Sequence, residues 1–187
     1  MGKQAQQIIV FFVALAIRLP FLFAGYGVVE DSWGHVLNAA QIFENGQYEI
    51  SRLPGHPLLE ALLLTLWKVH SPLIYNLFSA LAGAGATAIF FRLLHNENLK
   101  LAFWWSLAFS AVPVFYITST YTIDYAMALF FALLSYEALQ EQKIERAGIW
   151  LAVATGFRLT ALGFLLPFAY LILNNKEAEK SKALRIR

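Results

Sequence analysis

Apolar residues along this chain fall in long blocks separated by short polar stretches, and each block reads as a helix in or on a bilayer. Ile8 to Ala24 predicts a first span. The stretch from Gly25 to about Pro57 is polar and holds Glu30, Asp31, His35, Glu44, Glu49, Arg52 and His56. Within it Trp33, Val36, Leu37, Ala40 and Phe43 recur at helical spacing, predicting a short amphipathic helix stopped near Asn45-Gly46. Leu58 to Trp67 is apolar but too short to cross, and reads as interfacial or re-entrant. Pro72 to Phe91 is long enough to span, and its small residues between Ser79 and Ala86 let neighbouring helices approach closely. Leu101 to about Thr118 is the next span, kinked at Pro113, and Tyr125 to Leu139 follows. Ala147 to Leu173 exceeds one span and is interrupted by Gly156, Arg158, Thr160, Gly163 and Pro167. It is one tilted helix or two half-length helices turning near Arg158-Leu159-Thr160.

Composition agrees with this pattern. Of 187 residues 59% are hydrophobic and 14% charged, and the mean hydropathy is +0.57. A soluble domain is about one quarter charged and must cover its core with polar surface. There is no cysteine, which excludes a disulfide framework, thiol catalysis and Cys-based metal sites. The net charge of +2 is small and gives no basis for a nucleic-acid partner. Its distribution says more, since Lys176, Lys180, Lys182, Arg185 and Arg187 make 174–187 a basic tail. Lys3 followed by an apolar run resembles a signal peptide, but Arg18 and Pro20 interrupt the run and no small-residue cleavage site follows, so an uncleaved span is expected. Met1-Gly2 lacks Ser or Thr at position 6, against myristoylation.

The positive-inside rule sets the orientation. Lys3, Arg92/Lys100, Lys143/Arg146 and the tail are all cytoplasmic if Leu58–Trp67 does not span and Ala147–Leu173 is two halves. The expected fold is therefore all-α: a polytopic transmembrane bundle of about five to six membrane segments, 1–187 being one module, with an outer loop over 25–70 carrying interfacial helices. Both ends are cytoplasmic in the cell (inner) membrane. Glu30, Asp31, His35, Arg52, His56, Tyr121, Asp124 and Arg158 then converge at the outer face. Ionisable groups near a membrane interior are expensive and usually functional, and carboxylates with arginines suit chemistry on a lipid-borne phosphate.

Blander roles compete for several residues. Arg18 is expected to snorkel or to pair structurally. Glu60 and Lys68 read as solvating an interfacial helix, and His56 as capping it. His35, four residues after Asp31, is at a spacing that permits a shared metal ion. Trp104, Trp105 and Tyr116 fit an interfacial belt. Gly83 and Gly85 follow no strand and make no nucleotide fingerprint.

The ordered series of short motifs resembles a known family. It runs Arg18-Leu19-Pro20, Glu30-Asp31-Ser32-Trp33-Gly34-His35, Glu44-Asn45-Gly46-Gln47-Tyr48, Arg52-Leu53-Pro54-Gly55-His56-Pro57, Phe91-Arg92-Leu93-Leu94, Tyr121-Thr122-Ile123-Asp124 and Gly156-Phe157-Arg158-Leu159-Thr160. Over nearly its whole length the chain resembles the N-terminal module of GT-C-fold membrane glycosyltransferases, among them the protein O-mannosyltransferase-like, aminoarabinose-transferase-like and oligosaccharyltransferase catalytic subunits. The resemblance places Asp31 at the leading acid of the first outer loop. Ser32 stands where many members carry a second acid, and Glu30 precedes instead. It matches Asp124 to a second acid and Arg158 to a basic position in the broken fifth segment.

The resemblance implies an inverting transferase that uses a polyprenyl-phosphate-linked sugar donor. Asp31 is then the catalytic base, with Glu30, Arg52, His56, Tyr121, Asp124 and Arg158 binding substrate. A lipid phosphate leaves readily as an anion and needs positive charge, which Arg158 or Arg52 supplies bidentately. A divalent cation stays open as a cofactor, since metal use varies in the family. Family members usually continue with further spans, so a protein partner supplying a C-terminal module is an open expectation. Two other classes stand beside the enzyme: a non-catalytic membrane subunit with the GT-C shape, and a small transporter, which needs polar groups through the bilayer and not at one face.

Overall fold

A computed structural model describes residues 2–69 and 71–174. The lysines and arginines of the predicted tail lie outside the described residues. The first block winds into α1 (Lys3–Ala16) and stops there because Pro20 cannot donate to the Ala16 carbonyl. Leu19–Phe21 continues as a tighter 3-10 turn. The polar stretch holds α2 (Glu30–Asn45), whose first turn carries Glu30 and Asp31 where acids favour the helix dipole. Gly46 ends it with φ +67°, a left-handed value that glycine adopts without strain. Proline in the first turn starts α3 (Pro57–Thr65), α4 (Pro72–Asn96) and α6 (Pro113–Thr118). Pro113 thus breaks the predicted Leu101–Thr118 span into α5 (Ala102–Ser110) and α6 and does not merely kink it. After α7 (Tyr125–Gln140) and α8 (Ile144–Phe157) the backbone is extended at Arg158, passes through a 3-10 turn at Leu159–Phe164, and continues as α9 over 165–174.

Helix α4 is the hub, packed by α1, α5 and α7, while α8 packs on α7 and α3 packs on α2 and α8. Small residues permit this: a Cβ on Gly83 would sit 2.6 Å from Ser119 Cβ, and one on Gly85 2.6 Å from Phe130 Cε2. Helix α9 returns along the bundle, with Phe168 buried among Ala138, Leu139, Ala147 and Leu151 and with Leu171 and Ile172 against the same group. The bundle has two polar ends. At one, Lys3 bonds Asn96 (2.5 Å), Arg92 bonds Glu137, and Gln140 reaches Glu97 (3.5 Å). At the other, the Asn76 amide donates to the carbonyls of Leu22 (3.0 Å) and Gly25 (2.7 Å) and accepts from Thr122 Oγ1 (2.8 Å). That stitch holds the exit of α1 against the loop before α7.

All described elements are helical. Among the described residues two stretches, Lys3–Phe21 and Pro72–Asn96, are long and apolar enough to cross a membrane; Tyr125–Gln140 and Leu159–Asn174 are apolar but shorter. The core is mainly apolar, but it also encloses many polar side chains, and large apolar side chains stand outside. Asn76, Ser79, Thr87, Ser106, Ser110, Ser119 and Ser135 have no exposed surface, whereas Phe23 (75%), Val114 (74%) and Leu166 (80%) are largely exposed.

Of the stripe predicted in α2, Trp33, Leu37 and Phe43 point outward, while Val36 is buried together with Ser32, His35, Asn38, Ala39 and Ile42. Of the two roles expected for Arg18, snorkelling and structural pairing, the structure shows the second, for the side chain is fully buried. Its Nε donates to Ser119 Oγ (2.6 Å), and Nη1 donates to the Ala14 carbonyl (2.6 Å) and Ser110 Oγ (2.8 Å). The break between α5 and α6 leaves carbonyls and hydroxyls without helical partners, and the guanidinium's rigid fork of donors meets them.

Candidate functional site

The second polar end assembles most of the sequence-predicted residues. Asp124, at the start of α7, is buried (1% exposed). Its Oδ2 accepts from Arg158 Nη1 at 2.8 Å. Arg158 owes its place to the extended residue between α8 and the following 3-10 turn, and its guanidinium also lies 3.9 Å from the Tyr125 ring centre. His56 Nδ1 is 3.5 Å from the same Asp124 oxygen and 3.0 Å from the Phe157 carbonyl. A carbonyl only accepts, so Nδ1 of His56 carries the proton, a tautomer assigned from its neighbours. His56 precedes α3 but makes no side-chain capping bond, contrary to the capping expectation.

Behind His56 lies His35, ring edge to ring face at 4.9 Å. Its Nδ1 is 2.9 Å from Ser51 Oγ. Ser51 gives its single hydroxyl proton to Glu60 Oε1 (2.5 Å), so His35 Nδ1–H is the donor to Ser51. Burial, and next the neighbouring His56, hold His35 below its ordinary pKa against the opposing pull of Asp124, Glu60 and Asp31. His35 is therefore held neutral between Ser51 and the His56 ring.

Glu60 is where the sequence reading fails most. It does not solvate α3; it is 1% exposed. It accepts from the Tyr48 hydroxyl, the Ser51 hydroxyl and the Ser51 N–H (3.0 Å). Burial pushes its carboxyl up, but the Ser51 and Tyr48 hydroxyls and the N–H groups of Ser51 and His56 outweigh it and leave it below the ordinary range. The bond to Glu60, with burial and the carboxylate's charge, pushes Tyr48 up to about 12. The loop 46–56 is thus pinned to α3 by one buried acid. Its signal in the sequence is a lone acid on an otherwise apolar helix.

The pinned loop presents Arg52, which bonds Asp31 of α2 near the surface. Arg52, Leu53, Pro54, His56, Arg158, Leu159 and Thr160 line one pocket of about 100 Å³. Two arginines and a histidine therefore face one small space, with Asp31 at its edge. Asp124 and His35 stand behind the pocket's lining, bonded to or packed against its members, whereas Glu30 and Tyr121 take no part. Glu30 is exposed and makes no hydrogen bond or ion pair among the described residues. Tyr121 packs its ring against Gly27, where a Cβ would meet Tyr121 Cγ at 3.0 Å.

The donor set does not suit a metal ion. Asp31 and Asp124 each already hold a guanidinium where a cation would sit, and His35 is turned to Ser51, so Asp31 and His35 form no shared site. No group of three or more His, Cys, Asp and Glu with metal-binding placement occurs among the described residues. What the arrangement can do is hold an oxyanion between Arg52 and Arg158 beside a carboxylate. The chain matches no family model, no curated protein and no solved structure.

Proposed function

We propose that this is a multi-pass membrane glycosyltransferase module of the GT-C kind, transferring a sugar from a polyprenyl-phosphate donor at the outer membrane face. The carrying observation is the convergence of Arg52, His56 and Arg158 on one pocket with Asp31 bonded to its edge. Exposed aromatic and aliphatic side chains around the bundle, with hydroxyls and an arginine buried within it, support the bilayer. In this reading α1 and α4 cross fully, α5–α6 and α7 cross as shorter segments, and α8 and α9 are half-length arms meeting at Arg158. The end bearing Lys3, Arg92 and Lys143 is cytoplasmic.

Asp31 takes the proton from the acceptor's X–H as X attacks the anomeric carbon. The bond from that carbon to the phosphate oxygen breaks, and its electron pair leaves with the phosphate, which passes from a monoanionic diester to a dianionic monoester. Arg158 and Arg52 meet the added charge. Attack opposite the departing oxygen inverts the sugar carbon. Asp124 fixes the Arg158 guanidinium, and no step needs a metal ion.

The pocket's size favours a second reading. Ligand pockets usually run to about 300–1,000 Å³, and about 100 Å³ holds a phosphate but not a sugar ring with it. A module that grips the phosphate while a protein partner holds the sugar fits as well. Turnover of a labelled polyprenyl-phosphate sugar by the full chain in vesicles separates the two. The transferase reading expects turnover that Asp31→Asn abolishes with folding intact; full activity in Asp31→Asn sinks it. Turnover only on adding a second membrane protein favours the module.

A further inference from the structure

Arg52 stands between two anions. Its guanidinium bonds Asp31, and the same side chain lines the pocket with His56 and Arg158. The two arginines of the pocket are not equally held. Arg158 is fixed on a carboxylate that is 2% exposed and lies against the Tyr125 ring. Arg52 and Asp31 have side chains 55% and 32% exposed. An ion pair open to water is weak and changes partner easily, whereas a buried charge stripped of its counter-ion is strongly disfavoured. An anion entering the pocket therefore meets one arginine already turned to a buried carboxylate and one it can take.

Resting on the transferase reading, we propose that the phosphate of the donor takes Arg52 from Asp31, so that donor binding itself releases the base. The guanidinium occupies Oδ2 of Asp31 and its charge holds the carboxylate; once Arg52 turns to the phosphate, that oxygen is open to the acceptor's proton. The exchange makes and breaks no covalent bond. It also follows the charge through the transfer: the phosphate gains a negative charge as it leaves, and Asp31 becomes neutral as it takes the proton. Arg52 is then held by the more anionic group until that product departs. When Asp31 gives up its proton to water, the original pair re-forms. The backbone need not move, because the neighbouring Ser51 is pinned to Glu60 through both its N–H and its hydroxyl. Only the Arg52 side chain swings. A base engaged in this way acts best once the donor is in place, which favours the order donor first, acceptor second.

The test is the reactivity of Asp31 toward a water-soluble carbodiimide, read by peptide mass spectrometry on the full chain in phosphatidylcholine vesicles. Decyl phosphate is the probe, and its binding is followed in parallel by tryptophan fluorescence. The proposal expects decyl phosphate to raise Asp31 modification several-fold and saturably, at the concentration at which it binds, with Asp124 unchanged. In Arg52→Gln, Asp31 should react at the raised rate without phosphate and gain nothing from it. Inorganic phosphate in place of decyl phosphate reports the source: an equal effect supports exchange driven by free phosphate, and no effect confines it to a lipid-borne one. Binding of decyl phosphate with Asp31 reactivity unchanged overturns the exchange and leaves the transferase reading standing. Failure of decyl phosphate to bind at all removes the phosphate pocket on which both rest.

Discussion

Replacing Glu60 by Gln isolates what holds the loop that carries Arg52. The carboxylate accepts three bonds, from the Tyr48 hydroxyl, the Ser51 hydroxyl and the Ser51 N–H, in a site 1% exposed. A hydrogen bond to a charged group contributes about 1.5–3 kcal/mol and a neutral one about 0.5–1.5. Tyr48 is itself 59% exposed and can return its hydroxyl to water, so its share is small. The Ser51 N–H has no such freedom. The amide of Gln keeps one acceptor for Ser51 and is less unfavourable to bury, so the net cost is about 1–2 kcal/mol. Glu60→Leu leaves the N–H and a hydroxyl unpaired and costs about 3–5 kcal/mol. The loss falls on loop 46–56, so limited trypsin cleavage after Arg52 is the assay. It reports local opening when reclosing is fast. Glu60→Gln should speed that cut about 5–30-fold, with cleavage at Arg146, at the opposite end of the bundle, unchanged. A folded Glu60→Gln whose Arg52 cut is no faster than wild type refutes the anchoring role. Acid should mimic the mutation. The folded carboxyl lies below its unfolded value, so its contribution is full above the ordinary glutamate range and is lost as pH falls through the depressed value.

Other substitutions test other contacts. In a double-mutant cycle on unfolding, Asp124→Ala and Arg158→Ala should couple by about 2–3 kcal/mol, since removing either partner strands a charge that is wholly or mostly buried; additive effects would mean the pair is not a unit. Gly83→Ala should cost about 1–3 kcal/mol in detergent-monitored melting, because its Cβ meets Ser119 Cβ and the buried Arg18. Gly156→Ala should cost less, as its Cβ meets only the flexible Leu58 side chain. His35 is held below its ordinary value, so the unfolded chain takes a proton that the fold refuses. Stability is then retained above about pH 6.5 and lost as pH falls below it, and His35→Gln should flatten that part of the profile.

Much of this arrangement is written in local chemistry. Gly46 ends α2 because a left-handed residue is needed there, and the interruption at Gly156–Thr160 is where the chain turns between α8 and α9. Topology reasoning brought Asp124 and Arg158 to one place because their loops follow from the order of apolar blocks. Pairing was less legible. Asp31 and Arg52 both carried marks of function, but only the fold of loop 46–56 joins them, and that fold depends on Tyr48 and Ser51, neutral residues with no periodic signal. The inward face of α2 was not legible from periodicity alone, since Trp33, Leu37 and Phe43 of its stripe lie outside and Val36 lies inside beside Ser32, His35 and Asn38. Glu60 was read as a surface group because a charge in an apolar run was assumed to seek water; it is buried instead.

The central claim is that the pocket between loop 52–56 and residues 158–160 grips the phosphate of a lipid-borne sugar. A polyprenyl phosphate with a photoreactive group beside its phosphorus, cross-linked to the full chain in vesicles and mapped by mass spectrometry, addresses it directly. The account predicts adducts on Leu53, Pro54, Leu159 and Thr160, the residues that line the pocket beside Arg52 and Arg158, and their loss in the Arg158→Gln variant. Adducts confined to the opposite end, on Gln140 to Arg146, or spread along the outward faces of the helices and indifferent to Arg158, would contradict it.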